Sequence, residues 1–345
     1  MSKTALYWEK DTQSEKIRCL LCPHRCLIGS GKTGICRVRK NIGQNLVATN
    51  YGKLTAIALD PIEKKPLYHF KPGTDILSVG TYGCNMRCLF CQNHHISQQE
   101  APTINLEASA LLPLIRRYKN NIGIAFTYNE PLMWYEYIYD AAQAIKKEDK
   151  NISVVLVTNG YINPEPFAAL LPYIDAVNID LKFFNNNSYR RLCGAGLNGV
   201  LAAVETAARH CHLEVTTLMI TGENDSEEEI VATAKYLSEI SPDIPLHLSR
   251  YYPAYKFNRA ATDPKKIFAA REAAKQYINY VYVGNIPGGD ADTYCPGCGK
   301  KLVARKNYYG QPLIDKAACD RCGHKIPLIL ADEKSSIGKR DLNSD

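Results

Sequence analysis

Between residues 75 and 285 the apolar positions come in short unbroken runs rather than in strict alternation. The runs are 76–80 (ILSVG), 122–127 (IGIAFT), 152–158 (ISVVLVT), 174–181 (IDAVNIDL), 213–220 (LEVTTLMI), 244–250 (IPLHLSR) and 280–285 (YVYVGN). A strand that is apolar on both sides is covered on both sides, as in a parallel sheet wrapped by helices. Helical patterns fill the intervals. Ser226 and Glu229 form a capping box, after which Ile230, Ala234 and Leu237 share one face. Asp263 before Pro264 is an N-cap and first-turn pair, followed by Ile267, Ala270, Ala274 and Tyr277. Residues 132–146 contain no strong helix breaker. Six or seven β-α units predict a wound parallel sheet or an incomplete β/α barrel. In such folds the chemistry belongs at the C-terminal ends of the strands.

Composition narrows the class. The chain has 345 residues, 46% hydrophobic and 22% charged, enough for about two domains. No run of about 18 apolar residues occurs, so no membrane span is expected. The first sixteen residues carry no apolar signal core, and a cytoplasmic protein is the expectation. Net charge is +7, unevenly placed. Residues 1–50 carry nine Lys/Arg against three acids, residues 51–294 carry 23 against 26, and residues 295–345 carry ten against six. The basic excess surrounds cysteine clusters, where metal-bound thiolates would offset it. Nucleic-acid binding is therefore not expected from charge.

The thirteen cysteines change the picture most. Without an export signal they indicate metal or redox chemistry rather than a disulfide framework. Cys295, Cys298, Cys319 and Cys322 form two C-x₂-C-Gly knuckles, the pattern of a closed four-sulfur zinc ribbon. Cys19, Cys22, Cys26 and Cys36 also offer four thiolates. Their spacing leaves zinc and an auxiliary 4Fe–4S cluster both open, and His24 is an alternative ligand there. Cys84, Cys88 and Cys91 follow the first buried run in a C-x₃-C-x₂-C loop. Three thiolates on one loop can hold three irons of a 4Fe–4S cube and leave the fourth open. The competing reading is a zinc site completed by His94 or His95. Cys193 and Cys211 read as buried small hydrophobes.

The loop Cys84-Asn-Met-Arg-Cys88-Leu-Phe-Cys91, with Phe90 before the last cysteine, resembles the signature of the radical S-adenosylmethionine (SAM) superfamily. The segments CLLCPHRCLIGSGKTGICRVRKN, DPIEKKPLYHFKPG and GTYGCNMRCLFCQN, with Ser249–Pro253 and Gly284–Gly288, resemble the AmmeMemoRadiSam system radical SAM enzymes. These are relatives of the pyruvate formate-lyase-activating enzymes. The likeness spans residues 19–325. It implies an α/β fold, a partial (β/α)6 radical SAM barrel, carrying an N-terminal four-cysteine module and a C-terminal zinc-ribbon-like module. The corresponding division is 1–72, 73–290 and 291–345.

The resemblance further implies that SAM chelates the open iron of a 4Fe–4S cluster on Cys84, Cys88 and Cys91. Reductive cleavage then yields a 5′-deoxyadenosyl radical that abstracts hydrogen from a substrate. An external one-electron reductant of flavodoxin or ferredoxin type is implied, as are Memo-type and AMMECR-type partner proteins and a peptide or protein substrate. Glu130, in Tyr128-Asn129-Glu130-Pro131, corresponds to the Glu that accepts from the SAM ammonium, although the family's glycine pair is missing. Lys182, in Asp180-Leu181-Lys182, corresponds to the Lys that pairs with the SAM carboxylate. His247 corresponds to a ribose- or adenine-side His. Phe90, Asn129 and Asn159, in Thr158-Asn159-Gly160, complete the expected SAM pocket. Lys64, Lys65 and His69 sit in a segment that either touches substrate or cluster, or covers the barrel mouth. Glu130 also reads as a cap for the helix starting at Pro131. Two other functions compete: activation of a glycyl-radical enzyme, and a non-catalytic zinc-rich module that binds nucleic acid or protein.

Overall fold

The structure is a computed structural model describing residues 2–289 and 291–331. Residue 290 and the end of the expected 291–345 module lie outside the described residues. All seven apolar runs are strands. They are β2 (Asp75–Gly80), β3 (Asn121–Phe126), β4 (Ser153–Thr158), β5 (Ala176–Asp180), β6 (His212–Met219), β7 (Leu246–Arg250) and β8 (Val281–Gly284). They pair in parallel in chain order. A strand that the pattern does not announce, β1 (Ala56–Pro61), adds antiparallel to β2, with Ala56 opposite Gly80 and Pro61 opposite Asp75. The main sheet therefore takes up the chain well before the expected boundary at residue 73.

Six helices make the crossovers: α1 (Leu111–Arg116), α2 (Tyr135–Glu148), α3 (Pro164–Leu170), α4 (Leu197–Ala208), α5 (Glu227–Ile240) and α6 (Pro264–Ala274). Ser226 caps α5 by accepting from Glu229 N–H, and Asp263 caps α6 by accepting from Lys265 N–H. Glu229 does not return to Ser226. Its carboxylate accepts from Phe184 N–H at 2.6 Å, so only half of the expected box forms. In α2, Tyr135, Ile138, Ala141, Ala142 and Ile145 are buried. Burying each larger apolar side chain is worth roughly 1.5–3 kcal/mol, which sets this helix against the sheet.

The segment Ile62–Gly73 shows how far the sheet curls. Pro66 C=O accepts from Asn178 Nδ2 on β5, His69 N–H donates to Glu214 on β6, and His69 Nε2 lies 2.6 Å from Tyr282 Oη on β8. Lys71 Nζ reaches Ser153 on β4. One loop can meet four strands only if the sheet wraps around it. Because this loop precedes β2, it fills the N-terminal end of the partial barrel, opposite the end where the three-cysteine loop emerges. Among the described residues β1 and β8 are the edge strands of this sheet.

Two small modules flank the barrel. The C-terminal one has strands Thr293–Tyr294, Lys301–Lys306 and Tyr309–Pro312. It packs through Tyr68, Tyr280 and Tyr282 against the barrel. Glu63 stitches this junction, accepting from Gly73 N–H and Gly310 N–H at 2.8 Å each. The N-terminal module consists of two three-stranded sheets docked on α2. Arg39 and Glu136, each 1% exposed, form an ion pair across this contact. Among the described residues no helix is long and apolar enough to cross a membrane.

Candidate active site

The chain leaves β2 and turns at Gly83, whose φ is +87°. A Cβ there would lie 2.5 Å from Val38 Cγ1 and 2.7 Å from the Cys36 carbonyl oxygen. Left-handed backbone and close approach together require glycine. The loop that follows is fixed by its backbone. Arg87 N–H donates to Cys193 C=O at 2.8 Å and Leu89 N–H to Leu192 C=O at 2.9 Å. Cys88 is buried, and Cys84 and Cys91 are half-buried. Asn159 Nδ2 lies 3.6 Å from Cys84 Sγ, and Ser97 Oγ lies 3.1 Å from Cys91 Sγ. His94 stacks on Tyr255 with ring centroids 4.6 Å apart. Neither His94 nor His95 forms a compact ligand group with the loop cysteines among the described residues.

Cys193 is buried, as expected, but it is not an inert filler. It neighbours Cys88, and Cys193 together with Lys182 holds the Cys88 thiol below its ordinary range despite burial. Nothing in the local pattern around Cys193 gives this contact away, because a π-helical turn, Tyr189–Cys193, carries it there.

Glu130 lies at the end of β3 and is fully buried. Oε1 accepts from Leu132 N–H at 3.0 Å and from Thr158 Oγ1 at 2.6 Å, and Oε2 accepts from Asn159 N–H at 2.8 Å. It therefore caps the turn at Pro131 and also ties the end of β3 to the end of β4. Burial pushes its carboxyl up to about 7, against these donors. A cation brought beside it would favour the charged form. Asn129 Nδ2 donates to Gly83 C=O at 2.6 Å, and its side-chain oxygen accepts from Thr81 N–H at 3.3 Å. It staples the β3 end to the cysteine loop. Asn159 donates to Asn85 Oδ1 at 3.0 Å as well as to Cys84.

At the end of β5, Lys182 Nζ donates to Asp180 Oδ2 at 2.8 Å. Burial alone would lower the Lys182 ammonium, but the charges of Asp180, Cys88 and Cys193 outweigh it and hold it well above its ordinary range. Phe90 is buried edge-on against Phe183 and Phe257. Phe90, Asn129, Glu130, Asn159, Asp180 and Lys182 thus gather around Cys84 and Cys88.

His247 is not drawn into that group by any hydrogen bond among the described residues. Its Nε2 lies 2.6 Å from Glu214 Oε2, and its ring stacks on Tyr282 and meets Tyr68 edge-on. Glu214 also binds His212 Nε2 at 2.9 Å and His69 N–H at 2.7 Å. Burial would raise the Glu214 carboxyl, yet the two imidazoles hold it well below its ordinary range. Lys65 is buried too, 2.8 Å from Asp60, while Lys64 is more exposed and lies 3.7 Å from the same carboxylate. Asp60 also accepts from Tyr128 Oη at 3.0 Å. Lys65 and His69 thus belong to the loop of the β1–β2 hairpin, which covers the N-terminal end of the barrel.

The four C-terminal cysteine sulfurs lie within 4.8 Å of one another. Cys295–Cys322 and Cys298–Cys319 are each 3.6 Å apart. A metal–sulfur bond of about 2.3 Å gives tetrahedral edges of about 3.8 Å, so the set fits one ion. In the N-terminal set Cys19, Cys22 and Cys36 are buried and Cys26 half-buried. His24 lines the same recess as these cysteines, with its Nε2 2.8 Å from Asn85 C=O.

A partial barrel with a three-cysteine loop above its first parallel strand defines the class. The family model for the Radical SAM superfamily matches residues 78–237. An uncharacterized protein of Methanocaldococcus jannaschii is 38% identical over 339 residues, covering 95% of this chain and all of that protein. The pyruvate formate-lyase-activating enzyme of Clostridium pasteurianum is 28% identical over 169 residues, 46% of this chain and 67% of that enzyme. Streptococcus suis SuiB bound to S-adenosylmethionine shares the fold with a TM-score of 0.50 and 15% identity, over 61% of this chain and 52% of that one. Residues 78–237 form a radical SAM superfamily domain and the chain is an enzyme of that class, with similarity to glycyl-radical-enzyme-activating proteins.

Proposed function

We propose that this enzyme cleaves SAM at a cluster on Cys84, Cys88 and Cys91 and removes a hydrogen atom from a peptide or protein substrate, within a system of Memo-type and AMMECR-type proteins. The observation that carries the reading is the convergence of Glu130, Asn159 and Lys182 on Cys84 and Cys88. Three thiolate ligands on a cube would leave one iron open to SAM. When bound, cluster and SAM supply the reductive cleavage that generates a 5′-deoxyadenosyl radical. The chain supplies position and charge. Glu130 faces the ammonium of the methionyl end and Lys182 its carboxylate, each a charge-assisted bond. Phe90 and its aromatic neighbours keep water from the loop. A flavodoxin- or ferredoxin-type protein is the proposed electron donor.

The C-terminal four-cysteine site is read as structural zinc, since its sulfurs close a tetrahedron without a vacancy. The Memo and AMMECR partnership rests on the motif likeness over residues 19–325. Anaerobic incubation with SAM, reductant and candidate peptides, followed by mass analysis, tests the substrate class. A peptide changed in mass with accompanying 5′-deoxyadenosine supports it.

The second reading is installation of a glycyl radical on a partner enzyme, favoured by the similarity to the pyruvate formate-lyase-activating enzyme. The four-cysteine module preceding the barrel weighs against it. A glycyl-radical doublet in the electron paramagnetic resonance spectrum of a partner would select it.

A further inference from the structure

Residues 51–294 carry 23 Lys/Arg against 26 acids, yet exposed cations collect around the cysteine loop. Arg87 lies on the loop itself, Arg190 and Arg191 on the turn Tyr189–Cys193, and Lys256 and Arg259 on the segment after β7. Arg25, among the N-terminal cysteines, completes the set, and all six are exposed. We infer that these residues form a docking surface for an acidic one-electron carrier protein. The inference rests on the SAM reading above and assigns the place of its electron donor.

Backbone contacts hold the six around the loop. Arg87 N–H donates to Cys193 C=O at 2.8 Å and Leu89 N–H to Leu192 C=O at 2.9 Å, which fixes the turn bearing Arg190 and Arg191. Lys256 N–H donates to Leu89 C=O at 2.9 Å, and Phe257 meets Phe90 edge-on, which fixes the segment bearing Lys256 and Arg259. His24, next to Arg25, places its Nε2 2.8 Å from Asn85 C=O. Arg191 and Arg259 both reach Glu223, Arg259 at 3.6 Å, and so join the last two groups into one arc.

The charge of the arc is left largely uncompensated. Glu223 is the carboxylate shared by Arg191 and Arg259, and its side chain is only 5% exposed. Arg25, Arg87, Arg190 and Lys256 have no carboxylate partner among the described residues. Exposed like charges kept together raise the local potential and steer an oppositely charged partner. Nucleic acid is also anionic, but single strands are held by bases stacked on free aromatic faces. The exposed rings of this segment, Tyr252 and Tyr255, each have one face covered, by the Arg250 guanidinium and by His94. The arc is also centred on the three-cysteine loop, where an electron must enter if SAM and substrate occupy the barrel side. One electron leaves the reduced carrier, which is thereby oxidised by one electron, and enters the centre held by the loop. No covalent bond forms or breaks in that step.

Binding to a flavodoxin and to a bacterial ferredoxin, measured by calorimetry on the full chain reconstituted without oxygen, tests the assignment. The wild type should bind at least one of the two at low ionic strength, and added salt should weaken the complex. Arg190→Glu/Lys256→Glu should weaken it about ten- to a hundredfold, whereas Arg190→Lys/Lys256→Arg should bind as the wild type does. Lys147→Glu/Lys150→Glu makes the same change in net charge where α2 runs into β4, at the other end of the barrel, and should leave binding unchanged. Dithionite-driven SAM cleavage should be equal in all four proteins, while carrier-driven cleavage should fall only in Arg190→Glu/Lys256→Glu. Binding of neither carrier, wild-type affinity in Arg190→Glu/Lys256→Glu, or an equal loss in Lys147→Glu/Lys150→Glu would overturn the proposal. So would a single-stranded RNA that binds the arc more tightly than either carrier. Absence of dithionite-driven cleavage in the wild type would instead overturn the SAM reading, so the two fail separately.

Discussion

The backbone N–H of Asn159 donates to Glu130 Oε2 at 2.8 Å, so a fully buried carboxylate ties the end of β3 to the end of β4. Its other oxygen binds Thr158 and caps the turn at Pro131. Glu130→Ala should therefore do two things. Loss of the cap and the buried hydrogen bonds should cost about 2–4 kcal/mol of stability. Loss of the anion facing the SAM ammonium should weaken SAM binding about ten- to a hundredfold. Thermal unfolding and calorimetric titration read the two separately. Lower stability with unchanged SAM affinity would reduce Glu130 to a structural clamp.

Lys182 provides the cleaner probe, since its side chain caps no helix. Lys182→Ala should also weaken SAM binding about ten- to a hundredfold, by loss of one charge-assisted bond. Iron content should stay at the wild-type value because Lys182 is not a ligand. Wild-type affinity in this variant would remove the Asp180–Lys182 segment from the proposed site.

Glu63 makes the junction between barrel loop and ribbon sensitive to pH. Burial pushes its carboxyl up to about 7, with Arg305 and two backbone donors acting the other way. Above its ordinary 4.5 the folded state holds a proton that the unfolded state has released. Stability from this group is full below that value and is lost as pH rises to about 7. Glu63→Gln should flatten that dependence. Protease resistance of residues 291–331 at pH 5 and pH 8 should fall more in the wild type than in the variant. Equal falls would show that the carboxyl does not titrate in this window.

Cys322→Ser opens the ribbon tetrahedron. Structural zinc contributes folding free energy on the order of 10 kcal/mol, so the ribbon should become protease-sensitive and release its zinc. The loop cluster spectrum should persist, because Cys84, Cys88 and Cys91 lie at the opposite end of the barrel from the ribbon. Loss of that spectrum in an otherwise folded chain would mean that the cysteines have been grouped wrongly.

The seven parallel strands are legible in the sequence because burial on both faces leaves each as a continuous apolar run. β1 is not, because Ala56–Pro61 alternates in exposure, ends in Asp-Pro and lies on an edge. The short strands of the N-terminal module, two to four residues each, are too brief for any period to register. At the site, spacing picks out the candidate loop ligands because Cys84, Cys88 and Cys91 are close in the chain. Arg39, Asn85 and Cys193 escape such a reading, since each acts on a partner brought near only by the fold. His247 shows the reverse. The resemblance makes it a ribose- or adenine-side His, and only the folded sheet reveals that Glu214, on the neighbouring strand, occupies its Nε2.

The central claim is that the Cys84–Cys91 loop drives reductive cleavage of SAM. The direct measurement is 5′-deoxyadenosine formed by Cys88→Ala and by the wild type under the same anaerobic, reducing conditions. Cys88 is the most deeply buried of the three ligands, and two remaining thiolates cannot hold the cube with one open iron. The wild type should release 5′-deoxyadenosine and methionine in equal amounts, and the variant should release none above the protein-free control. Undiminished cleavage by Cys88→Ala would contradict the account.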